Sequence, residues 1–219
     1  EKTARVYGDH CLLTSNRNIM ADINKIFQFL EHPEKGYGPL LSCKTLVVSP
    51  ISMRPTIVGL INHEIKNAKA GKPAAITIKL NSLSDVDLIK KLNDAAVAGV
   101  TINMIVRGIF CALVDHKKFN AKPRAISIVD EYLEHARVMI FCNGGKEKVF
   151  ISSADWMVRN IDHRVEAAVP ILDPAIKKEL QDIIHIQLQD NVKARVLDSA
   201  LLNNYVPSGS RKKIRSQIE

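Results

Sequence analysis

The sequence lacks any long apolar run. No stretch of its 219 residues approaches the roughly 18 consecutive apolar residues that a membrane-spanning helix needs. Residues Glu1–Arg5 also lack the pattern of a signal peptide. Because the chain starts without methionine and in the middle of a pattern, we expect a portion of a longer protein. We expect a cytoplasmic location, and the sequence leaves membrane association open.

Two further kinds of motif are missing. The four cysteines, Cys11, Cys43, Cys111 and Cys142, form no C-x-x-C pair, so neither a disulfide framework nor a zinc site is expected, and buried reduced thiols are the default. No P-loop and no G-x-G-x-x-G occurs. A nucleotide would therefore be held by side chains rather than by a glycine-rich loop.

Basic residues are in excess. The chain has 31 Lys and Arg against 23 Asp and Glu, a formal net charge of +8. This balance favours a polyanionic partner but does not choose among nucleic acid, phospholipid and polyphosphate. Part of the excess lies in Arg211–Lys213 and Arg215, where a solvated tail is the alternative interpretation.

The first forty residues differ in pattern from the rest. Cys11–Leu13 resembles the last strand of an element that begins earlier, and Ile19–Leu30 has the apolar spacing of a short amphipathic helix. His32–Pro39 is predicted to be a linker. We therefore divide the chain into residues 1–41 and a main domain, 42–219.

Strands and helices alternate at the start of the main domain. Apolar runs separated by helical patterns predict a βαβαβ unit with a parallel sheet. The predicted strands are Thr45–Ser49, Ala74–Leu80 and Thr101–Val106; the predicted helices are Ser52–Ala70 and a segment capped by Ser84 and ended by Gly99.

The second half predicts shorter strands and one long helix. The predicted strands are Ala125–Val129, Arg137–Phe141, Lys148–Ser152 and Arg164–Val169, with a hairpin turn at Asn143–Gly145; a helix starts at Asp173-Pro174, and a further short helix is expected within Ala194–Tyr205. The fold class is α/β (α+β), with a mixed, partly parallel sheet flanked by helices.

Polar residues follow the first three predicted strands. Ser49, Lys79, Asn81 and Arg107 come at their carboxyl ends, where ligands bind in open α/β sheets. Two cations and two small polar groups there predict an anion site. The alternative is a solvated rim without a ligand.

A second group of polar residues lies between Tyr132 and Pro170. His135 has an arginine two residues later, and such a histidine can act as nucleophile, general base or phosphate ligand. Arg159 and Arg164 can clamp phosphate oxygens, and Glu166 can orient a histidine or an arginine. Alternatively, either arginine pairs with an acidic neighbour in a structural network, the candidates being Asp155, Asp162 and Glu166.

These residues resemble the motif of the phospholipase D superfamily. His135-x-Arg137 stands where that motif has His-x-Lys, and Ser152–Asp155 where it has a small-residue turn. Arg159-Asn160 and Arg164-x-Glu166 follow in the places of Arg-Ser and Asn-x-Glu. The resemblance implies a phospholipase-D-like domain at 42–219 and the end of a preceding one within 1–41. The missing lysine and aspartate of the motif argue against phosphodiester hydrolysis.

Longer strings resemble bacterial polyphosphate kinases over nearly the whole chain. They are EKTARVYGD, ITIKLNSL, IVRG, RAISIVDEYLEHARV, ISSADWMVRNIDHRVE and VKARVLD. The resemblance implies reversible transfer of the terminal phosphate of ATP to inorganic polyphosphate through a phosphohistidine. That histidine and the arginines that bind Mg²⁺ are expected upstream of Glu1, so the isolated chain is expected to be inactive.

The resemblance also implies site residues and partners. Tyr7 is expected to contact nucleotide, and Arg107 and His135 to bind ATP phosphates or assist transfer, with His135 as the catalytic residue. The strand-end argument adds Lys79 and Asn81 to the ATP- and phosphate-binding set, and Arg159 and Arg164 complete it. Partners are ATP or ADP, polyphosphate and further copies of the protein; no nucleic acid and no metal ligand within this chain are expected.

Two other functions are compatible with the sequence. One is a phospholipase-D-like phosphodiesterase or nuclease. The other is a module without catalytic activity that binds polyanions, which fits the positive charge.

Overall fold

A computed structural model describes residues 3–200 and 202–219. The helices are α1 (Arg17–Glu31), α2 (Gly38–Leu41), α3 (Met53–Lys69), α4 (Val86–Ala98) and α5 (Pro174–Gln189). The strands are β1 (Tyr7–Gly8), β2 (Val47–Val48), β3 (Ala75–Leu80), β4 (Thr101–Val106), β5 (Arg124–Ile128), β6 (Leu133–Glu134), β7 (Arg137–Phe141), β8 (Lys148–Ser152), β9 (Ala167–Pro170) and β10 (Ala194–Val196). None of these helices is both long and apolar enough to cross a membrane.

The main sheet is mixed, as predicted. Its order is β10-β5-β4-β3-β7-β8-β9-β2, with β3, β4 and β5 parallel to one another and the other pairs antiparallel. The hairpin of β7 and β8, joined through Asn143–Gly145, forms as expected.

The predicted βαβαβ unit is wrong in one respect. Strand β2 does not neighbour β3 but lies at the far edge of the sheet, antiparallel to β9. The reason is that β7, β8 and β9 occupy the side of β3 where β2 was expected. Four antiparallel pairings separate β2 from β3, so both strands still run in the same direction and end at the same edge.

The sheet is covered on both faces. On one face, α3 and α4 contribute Ile61 and Leu88 to a core that includes Ile78 and Met104. On the other face, α5 packs over Ile105 and its neighbours. Successive residues of a strand point to opposite faces, so β4 serves both cores. A third, smaller cluster joins α1 and α2 to the β2 edge.

Helix ends follow side-chain chemistry. Asp173 caps α5 and Pro174 opens it, as predicted. The cap of α4 is Asp85 rather than Ser84: its Oδ1 accepts hydrogen bonds from the next two free backbone N–H groups, at 3.1 and 3.0 Å. Gly99 ends α4 in the left-handed region, at φ 92°, which glycine adopts without strain.

Several sequence predictions of local structure are wrong. Cys11–Leu13 is not a strand, and Leu13 is exposed. The strand expected from Arg164 begins at Ala167, because a π turn at Arg159–His163 precedes it. Residues 194–196 form strand β10 beside β5 instead of starting a helix; Leu201, within the same predicted helix, lies outside the described residues.

The expected linker, thiols and basic run take the following forms in the structure. Residues 32–39 contain a 3₁₀ turn at Pro33–Lys35 and the start of α2. The cysteines are free thiols, two exposed and two half-buried, rather than buried. Within the basic run, Arg211, Lys212 and Lys213 are exposed, whereas Arg215 makes a two-pronged ion pair with Asp130 at 2.7 and 2.8 Å.

Candidate active site

A small parallel sheet brings the start of the chain to the carboxyl edge of the main sheet. Tyr7 pairs with Leu133 and Gly8 with Glu134. The carbonyl of Gly8 then accepts hydrogen bonds from the backbone N–H groups of His135 and Ala136, at 3.1 and 3.2 Å. Residues 7–9 are thereby fixed beside His135.

His135 is oriented by two of these neighbours. Its Nδ1 lies 2.8 Å from Asp9 Oδ2, and its ring meets that of Tyr7 edge to face, with centroids 4.8 Å apart. Burial acts to raise the pKa of Asp9, but the hydrogen bonds with the His135 side chain and the His10 backbone outweigh it and hold that pKa below its usual value. A carboxylate on Nδ1 leaves Nε2 as the ring nitrogen for a substrate.

An open cleft of about 440 Å³ lies next to this histidine. Its lining residues are Asp9, His10, His135, Arg137, Ile151, Ser152, Ser153, Ala167 and Val169. Burial and the nearby Lys79 charge lower the pKa of His10, so this second histidine favours the neutral form. The cleft is thus lined by imidazole and hydroxyl groups, which can bind phosphate oxygens, and by the charged side chains of Asp9 and Arg137.

Arg107 is linked to His135 through Asn81. The Arg107 guanidinium donates to Asn81 Oδ1 from Nε at 3.2 Å and from Nη2 at 3.1 Å, and its Nε also reaches the Glu134 carbonyl at 3.2 Å. The buried Asn81 in turn donates from Nδ2 to the His135 carbonyl, at 3.3 Å. Asn81 therefore supports two candidate residues at once.

Lys79 reaches the same edge but does not face open space. It is 3% exposed, and its Nζ lies 2.5 Å from Glu134 Oε2. The carboxylate next to His135 in sequence therefore balances the lysine charge within the fold. The structure likewise buries Ser49, whose hydroxyl donates to the Asn160 carbonyl at 2.7 Å.

Arg159 and Arg164 are exposed. Within the described ranges, neither guanidinium makes a side-chain hydrogen bond or an ion pair. The acidic neighbours pair elsewhere: Asp155 with Arg137 at 3.1 Å, and Asp162 with Arg54 at 2.6 Å. The structural network considered for the two arginines is thus formed by others.

Glu166 has a different role from the one expected. It accepts hydrogen bonds from the Ser153 hydroxyl and from Asn160 Nδ2, the latter at 2.7 Å, rather than orienting a histidine or an arginine. Since Ser153 lines the cleft, Glu166 and Asn160 hold one wall of it in place.

Sequence reasoning overlooked Asp9 and His10 as part of this site. Both precede the predicted linker, far from His135 in the chain, and only the pairing of β1 with β6 brings them together. The available signal was Asp9, the last residue of the string EKTARVYGD. Within the described ranges no cluster of three or more acidic, histidine or cysteine side chains could hold a metal ion.

The sheet with its flanking helices has a phospholipase-D-like fold, as a solved structure indicates. The chain resembles the solved structure of Nuc from Salmonella typhimurium, a phospholipase D family member, with a TM-score of 0.52 over 70% of this chain and 97% of that one. At 16% identity the likeness shows the fold alone.

Closer similarities identify the family. Residues 46–217 match the family described as "Polyphosphate kinase C-terminal domain 2", and residues 1–36 match "Polyphosphate kinase C-terminal domain 1". The chain therefore belongs to the polyphosphate kinase family, as the motif strings predicted.

Individual relatives agree with this assignment. The polyphosphate kinases of Escherichia coli K12 and Vibrio parahaemolyticus are 47% and 49% identical over the whole chain, which spans 31% of their length. The crystal structure of polyphosphate kinase from Porphyromonas gingivalis is 43% identical, with a TM-score of 0.93 over 100% of this chain and 33% of that one.

Proposed function

We propose that this chain is the part of a polyphosphate kinase that binds the phosphates of ATP and of polyphosphate during transfer. The observation that carries the proposal is the meeting of three separate segments around His135, which lines the cleft. Tyr7–Asp9 orient His135, and Arg107 contacts the peptide group that precedes it. ATP or ADP and polyphosphate are the proposed partners.

The reaction we propose has two reversible steps. The bond between the terminal phosphorus of ATP and its bridging oxygen breaks as a bond forms to a histidine nitrogen outside this chain. That phosphorus–nitrogen bond then breaks as the terminal oxygen of polyphosphate attacks. Such transfers depend on positioning and on positive charge near the phosphoryl oxygens, which Arg107 would supply here.

His135 is proposed to handle the proton at the leaving or attacking oxygen. With Nδ1 held by Asp9, its Nε2 can donate a hydrogen bond or a proton to a phosphate oxygen and take it back in the reverse direction. Tyr7 lies against the same ring and is proposed to contact the nucleotide.

The remaining predicted residues take two roles in the proposal. Lys79 and Asn81 are buried, so we assign them to positioning Glu134, His135 and Arg107 rather than to direct phosphate contact. The exposed Arg159 and Arg164 follow the wall of the cleft in sequence, and we assign them to the polymer.

Other properties stay predictions. They are a homo-oligomeric full-length protein, a cytoplasmic location, no nucleic-acid partner, and no turnover by the isolated chain. Mg²⁺ normally binds nucleotide phosphates with few protein ligands, and its protein ligands are expected outside this chain, so no step is assigned to the metal here.

The hydrolytic alternative has less support. In the phospholipase-D-like motif the position of Arg137 is a lysine, a compact cation for phosphate. Here the Arg137 guanidinium contacts both oxygens of Asp155, at 3.1 and 3.3 Å, so its charge is already paired.

The test uses the full-length protein with His135→Ala or Arg107→Ala. Incorporation of radiolabelled phosphate from ATP into acid-insoluble polymer should fall by about 10²- to 10⁴-fold for His135→Ala, the range for a lost acid–base group. His63→Ala, which removes an exposed histidine from α3, is the matched control. Undiminished synthesis in both variants, with fold and oligomer intact, would refute the proposal.

A further inference from the structure

Glu134 connects Arg107 and His135, the two residues that we propose act in phosphoryl transfer. Its carbonyl accepts the hydrogen bond from Arg107 Nε, and His135 is the next residue. Its position therefore affects both the guanidinium and the imidazole. The proposed chemistry uses neither oxygen of its carboxylate.

Glu134 is 7% exposed, and its carboxylate accepts hydrogen bonds from three side chains. Lys79 Nζ on β3 and Gln187 Nε2 on α5 contact Oε2, at 2.5 and 2.8 Å. The third contact is from the segment 211–219, where Gln217 Nε2 lies 2.6 Å from Oε1.

Gln217 also binds the backbone of Tyr132. Its Oε1 accepts from the Tyr132 N–H at 2.9 Å, and its Nε2 donates to the Tyr132 carbonyl at 2.9 Å. The Gln217 amide thus pairs with both backbone groups of Tyr132, as a neighbouring strand would. The next two residues, Leu133 and Glu134, pair with β1. If the Gln217 amide were flipped, its oxygen would face two acceptors, the Tyr132 carbonyl and Glu134 Oε1. The three contacts therefore specify one orientation of the amide.

The segment that carries Gln217 is itself anchored. Arg215 pairs with Asp130 at 2.7 Å, and the Ser216 N–H and hydroxyl both donate to Asp190, at 2.8 Å each. The hydrogen bonds at Ser216 help hold the pKa of Asp190 below its usual value, although burial, the largest influence, acts to raise it. Gln217 is therefore presented to Glu134 from a fixed backbone.

We infer that Gln217 is a positioning residue for phosphoryl transfer: its side-chain amide locks the segment Tyr132–Glu134 and so fixes His135 at the cleft and Arg107 beside it. The inference rests on the proposed function of those two residues. Loss of the amide frees one Glu134 oxygen and both peptide groups of Tyr132. Glu134 then keeps its pairing with β1 and its contacts with Lys79, Gln187 and Arg107, whereas Tyr132 loses its side-chain anchor.

The test compares Gln217→Ala with Ile218→Ala in the full-length protein. Ile218 is 67% exposed and adjacent, so its variant controls for a change in the same segment. We expect Gln217→Ala to lower kcat for polymer synthesis about tenfold, with KM for ATP and polyphosphate within about twofold, because small misplacements of reacting groups reduce the rate steeply. Hydrogen exchange should accelerate in peptides covering 130–137.

A change of charge separates positioning from general damage. Gln217→Glu places a second carboxylate against Glu134 and an oxygen against the Tyr132 carbonyl, and should lower kcat further than alanine does. Ile218→Glu adds the same charge to the exposed adjacent residue and is its matched control. Should Gln217→Ala unfold the protein, these two variants decide the matter, and equal rates in Gln217→Glu and Ile218→Glu overturn the inference.

The outcomes also distinguish this inference from the proposed function. Loss of synthesis in His135→Ala, with Gln217→Ala equal to Ile218→Ala in rate and exchange, overturns the inference alone. Full synthesis in both His135→Ala and Arg107→Ala overturns the proposed function. In that case faster exchange at 130–137 in Gln217→Ala still supports the lock, and unchanged exchange removes it.

Discussion

Pairing between distant residues gives the candidate site its chemistry at the residue scale. His135 alone is an ordinary histidine, but Asp9 on Nδ1 fixes which ring nitrogen is available. Tyr7 limits the tilt of the ring from a second direction. A histidine that must act on one defined oxygen needs both restraints, because acid–base catalysis depends on geometry before pKa.

The first prediction at this scale concerns Asp9→Asn in the full-length protein. The amide keeps the size of the side chain but removes the charge that favours a proton on Nδ1. We expect polymer synthesis to fall on the order of 10- to 100-fold, the range for groups that orient a functional histidine.

The measurement is steady-state synthesis as a function of pH, with the exposed Asp94→Asn as a control of equal charge change. Because the pKa of Asp9 lies below its usual value, its ionised form is favoured in the folded state. The contribution of the Asp9 carboxylate to holding His135 should be present above about pH 4. It should be lost as the pH falls through the lowered pKa of Asp9. An unchanged rate in Asp9→Asn would separate Asp9 from the function of His135.

At the scale of secondary-structure elements, a single carboxylate joins α1 to the main sheet. Asp22 of α1 is 2% exposed, and its Oδ2 accepts from three consecutive backbone N–H groups, those of residues 44–46, at 2.9, 2.6 and 3.0 Å. Lys25 adds a contact of 2.8 Å to Oδ1. These bonds attach α1 to the start of the main sheet, across the predicted boundary near residue 42.

Asp22→Asn should loosen this attachment. An amide can retain an acceptor oxygen but loses the charge, so we expect the free energy of local opening to fall by about 1–3 kcal/mol. Hydrogen exchange at residues 44–46 measures it, with the exposed Glu31→Gln on the same helix as control. Equal exchange in both variants would contradict the role of Asp22.

The same attachment should weaken in acid. Burial would raise the pKa of Asp22, but the Lys25 and backbone hydrogen bonds lower it from 3.8 to about 2. The folded state thus binds the proton less tightly than the unfolded state. The contribution, about 2 kcal/mol by linkage, is present above pH 3.8 and lost as the pH falls toward 2. Exchange at residues 44–46 measured across that range should show it in the natural protein and not in Asp22→Asn.

The distribution of charge matters at the scale of the whole molecule. The net charge of +8 favours polyanions in general, but most candidate cations near the cleft are already paired within the fold. Arg159 and Arg164 are exposed and unpaired in the described part of the chain. Their charge is therefore left for a long polymer.

The double variant Arg159→Ala/Arg164→Ala should weaken polyphosphate binding. We expect KM for polyphosphate to rise several-fold and the dependence of log KM on log salt to lose up to about two units of slope, about one per contact. Lys66→Ala/Lys69→Ala removes the same charge from the last turn of α3. That turn lies roughly 20 Å along the helix from the end that contacts the π turn. Equal effects of the two double variants would assign the polymer effect to net charge alone.

Local sequence determined much of this protein. Apolar periodicity located α1, α3 and α5 and strands β3, β4, β5, β7 and β8, because burial of one face imposes period and length on each element. Capping chemistry marked the start of α5 and the end of α4. Long motif strings indicated the polyphosphate kinase family, and the comparisons confirmed it.

Tertiary structure alone decided which elements are neighbours and which charges remain free. Nothing local indicates that β2 lies at the far edge, that residues 194–196 join the sheet, or that β1 pairs with β6. A side chain's neighbours depend on this non-local pairing. For that reason the sequence predicted the same phosphate-binding role for Lys79, Asn81 and Arg107. The fold instead buries Lys79 and Asn81 and leaves the Arg107 guanidinium beside His135.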